Sequence, residues 1–207
     1  MSRTLPALSG LLAMLLLPSI AQAGDLELHV VDQTSKPVAD AVVTVKPAAG
    51  LPNRPITFPW PFTMVQQNIA FNPHVLIVPV GATVPFPNKD NVRHHIYSFS
   101  KPARFNMKLY GQDEVPTYTF RTAGAVALGC NIHDKMSGFI KVVDTPYAAK
   151  SGHDGTVRVT GMPGGNATVT IWHPMLRAPD NEMVMQVALG ASGMVTRPVS
   201  LTLRGGM

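Results

Sequence analysis

Apolar residues in this chain alternate with polar ones at a period of two far more often than they recur at the helical period of 3.6. In Leu26-Glu-Leu-His-Val-Val31 the apolar positions are every second residue, and Ala41-Val-Val-Thr-Val-Lys46 follows after the turn-forming Asp32-Gln-Thr-Ser-Lys-Pro37. Short β-branched and aromatic runs bounded by Gly, Pro, Asn and Asp are strand signals. The same pattern predicts strands at 75–78, 83–86, 94–99, 105–109, 115–120, 125–128 and 138–143. Two more, separated by a Pro-Gly turn, are predicted between Gly155 and Trp172, and closing strands at 183–187 and 195–203. In the run His94-His-Ile-Tyr-Ser-Phe99, His94, Ile96 and Ser98 share one face of a strand and His95, Tyr97 and Phe99 the other. Pro79, Pro85 and Pro87 confine parts of their strands to sheet edges. The expected fold class is all-β, built from sandwiches.

Between Pro47 and Pro61 the alternation stops and five prolines appear, the composition of an extended, semi-rigid connector. Phe58, Trp60 and Phe62 interleave with the last of them, in position either to cover an apolar seam between domains or to form an exposed docking patch. The first residues follow a different pattern: Arg3, the apolar run 11–18 and Ala21-Gln-Ala23 have the form of a cleaved secretory leader. The run is too short to span a bilayer. Residues 1–23 are therefore read as a signal peptide, with a periplasmic destination and no membrane span. Charged residues make up 14% of the 207 and the net charge is +5, without a run of Lys or Arg. That scatter argues against a nucleic-acid partner, which would need a clustered basic face.

The one cysteine changes the picture. A secreted chain normally uses cysteines in pairs, and Cys130 has none to pair with. It ends the apolar run 125–128, with His133 three residues on and Met136 six residues on, before Gly138 opens the next strand. Thiolate, imidazole and thioether are three of the four donors of a blue-copper site, which needs a second imidazole in the plane with the thiolate. The upstream pair His94-His95 supplies that donor, and a regular strand points only one of the two inward. Because the loop is short, one ion can be reached by Cys130, His133 and Met136 with little loss of chain entropy.

With Thr122-Ala-Gly124 before the loop and Gly138-Phe-Ile-Lys-Val-Val143 after it, the stretch resembles the cupredoxins, most closely their amicyanin-type and plastocyanin-like members. Phe71-Asn-Pro-His-Val-Leu-Ile-Val-Pro-Val-Gly81 through Asp90 resembles the entry strand, glycine turn and second strand of that family. The resemblance implies a Greek-key β-sandwich holding one type 1 copper ion on His94, Cys130, His133 and Met136. It selects His94 over His95, and places hydrogen bonds to the Cys130 sulfur from the loop backbone and near Asn88. It also implies single-electron transfer between redox partners such as a dehydrogenase or a c-type cytochrome. The alternative is a carrier or sensor for which copper is cargo.

The chain is also similar to cupredoxin-like proteins labelled for methylamine utilization, which join such a domain to a second β module. Gly152-His-Asp-Gly155 and Met162-Pro-Gly-Gly165 resemble the turns of carboxypeptidase regulatory-like modules, whose first half resembles residues 26–45. The expected division is a leader at 1–23, the first part of an Ig-like module at 24–47, a connector at 48–63, the cupredoxin domain at 64–145 and the second part of the Ig-like module at 146–207. One filled copper centre leaves no open coordination position for a substrate, and no nucleophile motif or haem-attachment motif occurs. The sequence-based expectation is therefore that the chain is not an enzyme.

Overall fold

A computed structural model describes residues 23–205. The expected leader lies outside them except for Ala23, whose backbone begins the first strand opposite Pro163. Apart from one turn of 3-10 helix at Pro179–Asn181, the regular structure of the described residues is all strand. The strands are Ala23–Asp32 (β1), Val42–Pro47 (β2), Val65–Gln66 (β3), Phe71–Asn72 (β4), Val75–Pro79 (β5), Thr83–Pro85 (β6), Ile96–Ser98 (β7) and Phe105–Asn106 (β8). They continue with Thr117–Thr119 (β9), Gly124–Cys130 (β10), Ser137–Val143 (β11), Ala148–Lys150 (β12), Thr156–Pro163 (β13), Gly165–Trp172 (β14), Glu182–Leu189 (β15) and Gly193–Leu201 (β16).

The two N-terminal strands pair with the C-terminal ones. β1 is the middle of a three-stranded sheet, antiparallel to β13 and parallel to β16, while β2 lies between β12 and β14 in a four-stranded sheet that ends on β15. Alternation in β1 decides which residues face inward: Leu26, Leu28 and Val30 are fully buried, and His29 is exposed. Those side chains form one core with Val43, Val45, Val157, Val159, Val169, Ile171 and Leu201.

Residues between these two groups build a second set of sheets. A five-stranded sheet has the order β5-β11-β10-β7-β8, with β5 parallel to β11 and the other neighbours antiparallel; β6 pairs with β9 and β3 with β4. Their core contains Met64, Phe71, Val84, Phe86, Ile96, Phe120, Val126 and Ile140, and Cys130 and Met136 belong to it. Between the two cores lies a smaller cluster of Val42, Ala148 and Trp172 with Val75, Ile77 and Val143. Phe58 and Trp60 of the proline-rich connector cover that cluster, their rings stacked at 4.7 Å, and the Trp60 indole donates to the Ile77 carbonyl at 2.9 Å. Lys141, 6% exposed, lies beneath it, bonded to Glu182 at 2.6 Å and set 5.4 Å over the Trp172 ring.

The expected strand at 105–109 ends after Asn106. Met107 still donates to the Ile96 carbonyl, but the next bridge joins His94 to Tyr110. Three residues on one side are thus spanned against two on the other, the count of a β-bulge. The extra residue breaks the alternation, so Met107 is buried and Leu109 is 43% exposed. The irregularity falls beside His94 and lets Tyr110 turn into the core.

Candidate metal centre

Cys130 is the last residue of β10. The ladder on one side runs to β11, and the register on the other places Cys130 opposite Ile96 of β7. The strand therefore delivers the thiol at the end of the sheet, 4% exposed. Two residues before β7, His94 is fixed by both of its backbone groups: its N–H donates to the Tyr110 carbonyl at 3.1 Å and its carbonyl accepts from the Tyr110 N–H at 3.0 Å. His94, Ile96 and Ser98 are all buried, as their shared face requires, and His94 is fully so. The loop after Cys130 folds back on itself, with the His133 N–H directed to the Cys130 carbonyl at 3.4 Å and the Met136 N–H to the His133 carbonyl at 2.8 Å.

These elements bring three donor atoms together. The Cys130 Sγ lies 3.7 Å from His94 Nδ1 and 3.5 Å from His133 Nδ1, and all three atoms lie within 4.8 Å of one another. The two imidazole rings have centroids 5.0 Å apart. Bond lengths of about 2.3 Å to sulfur and about 2.0–2.1 Å to nitrogen put trigonal donors about 3.8 Å apart across one ion. The two S···N separations are within a few tenths of an ångström of that figure. The donor set fits a thiophilic metal ion.

The other ring nitrogen of His94 is occupied. Nε2 lies 2.8 Å from Asp90 Oδ2, which leaves Nδ1 as the atom facing the thiol. Asp90 also accepts the backbone N–H of Asn68 at 2.6 Å and that of Ile69 at 3.0 Å. Burial works to raise its pKa, but the His94 imidazole and the two backbone donors outweigh it and hold the carboxyl below its ordinary value.

Met136 is 2% exposed, packs in the same core as Cys130, and lines with it a surface groove of about 400 Å³ bordered by Tyr97, Phe99 and Asp134. His133 is half-buried and Ile132 beside it is 50% exposed, so the loop side of the centre reaches the surface. His95 points the other way, as the strand alternation requires, and its Nε2 bonds to the Asn106 side chain. The Asn88 side-chain amide donates to the Val92 carbonyl at 2.8 Å and lies 3.5 Å from that of Tyr110. Its Oδ1 accepts the Asp90 N–H at 2.8 Å, so Asn88 shapes the turn that presents Asp90. Asp90 itself was not singled out by sequence; a carboxylate four residues before the upstream histidine was the available signal.

No protein-family model matches the chain, and no curated protein matches it. Among solved structures it is similar to a reduced mutant of amicyanin, with 21% identity over 40% of this chain and 81% of that one and a TM-score of 0.37. It is similar also to a purple cupredoxin from Nitrosopumilus maritimus, with 24% identity over 39% of this chain and 98% of that one and a TM-score of 0.36. A third is the copper-containing nitrite reductase from Thermus scotoductus SA-01, with 28% identity over 56% of this chain but only 28% of the enzyme, and a TM-score of 0.39. That likeness corrects one expectation: with an enzyme among the similar structures, the reading of this chain as a non-enzyme is withdrawn.

Proposed function

We propose that this chain is a periplasmic copper protein that binds one type 1 copper ion through His94, Cys130, His133 and Met136 and passes single electrons between redox partners. The observation that carries the reading is the approach of one buried sulfur to two imidazole Nδ1 atoms at trigonal separations. Zinc accepts the same sulfur and nitrogen donors; the buried thioether of Met136 in the same loop favours copper, which would take it as a weak, soft fourth donor beside the thiolate and two imidazoles. Bound there, copper supplies a one-electron Cu(II)/Cu(I) couple.

The residues do the rest by holding still. Cys130 is paired with Ile96 on one side, just beyond the end of the ladder to β11, His94 is clamped through its backbone and through Nε2, and His133 is held by a closed turn. A donor set held in this way would change little in geometry between oxidation states, which would keep the cost of reorganisation low. Electrons are proposed to enter and leave at the half-buried His133, beside exposed Ile132, with a dehydrogenase or c-type cytochrome as partner. No helix among the described residues is long and apolar enough to cross a membrane, and the leader-like residues 1–23 support export.

The same proposal includes the division of the chain. Residues 24–47 and 146–207 are taken as one Ig-like module interrupted by a connector at 48–63 and the copper module at 64–145. The pairing of β1 and β2 with strands beyond residue 147 supports this, as do the two separate apolar cores.

Titrating purified protein with Cu(II) tests the function. The expected result is one equivalent bound, with intense visible absorption that bleaches reversibly on reduction. Cys130→Ser should abolish the colour, and Met136→Gln should keep a coloured centre with a displaced potential. Colourless Cu(I) binding with fast transfer to a chelator would support the cargo reading instead. Colour undiminished in Cys130→Ser would show the ligand assignment to be wrong.

A further inference from the structure

Three residues outside the donor set form a device aimed at His94. The hairpin joining β3 to β4 turns through Asn68 and Ile69, with Gln67 and Ala70 exchanging backbone hydrogen bonds at 3.0 and 3.2 Å. Both loop residues have positive φ, 58° and 54°. Two-residue hairpins need that conformation but prefer Gly or Asn in it, and a β-branched residue there is a genuine outlier. Ile69 is 48% exposed, so side-chain packing does not explain its presence in the strained position. The turn does aim two successive N–H groups at one carboxylate, the geometry of an anion-binding nest. Asp90 fills it, with Oδ1 on Asn68 N–H and Oδ2 shared between Ile69 N–H and His94 Nε2.

We infer that Asp90 is a positioning residue for the metal centre. Clamped by the Asn68–Ile69 turn, its carboxylate fixes the tautomer and ring plane of His94 and strengthens Nδ1 as a donor to the oxidised ion. Three contacts hold the carboxylate, the two turn N–H groups and the imidazole, and the Asn88 side chain fixes the Asp90 backbone by accepting its N–H. Its side chain is 11% exposed and that of His94 fully buried, so water screens the pair little. A fixed anion on Nε2–H forces the lone pair onto Nδ1, the atom that faces Cys130. It also holds that lone pair aimed at the ion's position, as a carboxylate behind a ligating histidine generally does. Added electron density favours Cu(II) over Cu(I). This inference rests on the copper reading above, but one of its readouts does not.

The test uses Asp90→Asn and Asp90→Ala in the full chain. Asparagine keeps an acceptor oxygen for Nε2–H and loses the charge; alanine loses both. In the metal-free protein, nitrogen NMR should find His94 as the single Nε2–H tautomer in wild type and Asp90→Asn, and as a mixture in Asp90→Ala. In the copper-loaded protein, both variants should lose about 10–100-fold in Cu(II) affinity. If Cu(I) affinity is unchanged, the potential rises by about 59 mV for each tenfold. A His94 tautomer indifferent to alanine, or a potential unmoved in Asp90→Asn, would overturn the inference. A wild type that takes up no copper would overturn the proposed function alone, and the tautomer measurement would still decide the role of Asp90.

Discussion

Removing one oxygen from Tyr110 should cost the protein about 2 kcal/mol without disturbing the metal centre. The Tyr110 hydroxyl is buried among the β3–β4 hairpin, β6 and the segment carrying His94, within hydrogen-bond reach of Gln66 Oε1 and 2.9 Å from the Phe86 carbonyl. Tyr110 is 2% exposed and Gln66 fully buried, and burial raises the phenol pKa well above its ordinary value. In Tyr110→Phe the fully buried Gln66 oxygen loses its donor, and the side chain is kept from turning away by its own amide, anchored on the Met64 carbonyl at 3.0 Å. An acceptor stranded in this way costs about 1–3 kcal/mol. For a chain of this length, 2 kcal/mol corresponds to a fall in Tm of about 4–8 °C. Urea denaturation followed by fluorescence measures it, and a double-mutant cycle with Gln66→Leu isolates the pair. The double variant should be less damaged than the sum of the two singles, by about 0.5–3 kcal/mol. Copper absorption should be unchanged, since His94 is held through the Tyr110 backbone rather than its hydroxyl. A loss below about 0.5 kcal/mol, or strictly additive variants, would refute the reasoning.

Other consequences of the structure are equally direct. Ile69→Gly relieves a left-handed isoleucine at the cost of backbone entropy, for a net gain of roughly 0.5–1 kcal/mol; because the two N–H groups stay in place, the copper potential should not move. A loss of stability would mean that the exposed isoleucine packs more than its surface suggests. His173 supplies a pH dependence. Burial lowers its pKa, nearby His74 adds to that, and the Asp40 carboxylate and an Ala39 backbone bond oppose it, while its Nδ1 accepts the Met175 N–H at 3.2 Å. With the folded pKa below the unfolded one, the unfolded chain binds the proton first, so stability falls as pH drops through about 6.5. His173→Gln should flatten the fall in urea midpoint between pH 8 and 5, and identical slopes in both proteins would contradict this assignment.

What could be read from the sequence was local. The alternation of β1 placed Leu26, Leu28 and Val30 in a core, and the alternation from His94 to Ser98 separated the inward histidine from His95. The spacing of Cys130, His133 and Met136 could be read because one turn of chain carries all three. Phe58 and Trp60 of the connector pack against an apolar cluster, one of the two roles their interleaving with proline left open. Asp90 was out of reach for the opposite reason. Its partners lie on a hairpin about twenty residues upstream, and Asn68-Ile69 lacks the glycine that marks such turns. The parallel pairings of β1 with β16 and β5 with β11 were equally hidden, because they join segments with no local signal linking them. The strand at 105–109 failed where residues 107–109 lie against only two residues, 95 and 96, a shift in pairing that no local pattern marks.

The central claim is that one copper ion sits among a single sulfur and two imidazole Nδ1 atoms. Crystals of the copper-loaded protein, measured on both sides of the copper absorption edge, test it without reference to colour or activity. One anomalous peak is expected, within bonding distance of Cys130 Sγ, His94 Nδ1 and His133 Nδ1 together and nearer to these than to the Met136 sulfur. A peak bound by His95, His74 or His173 instead, or a fully loaded protein whose copper leaves Cys130 free, would contradict it.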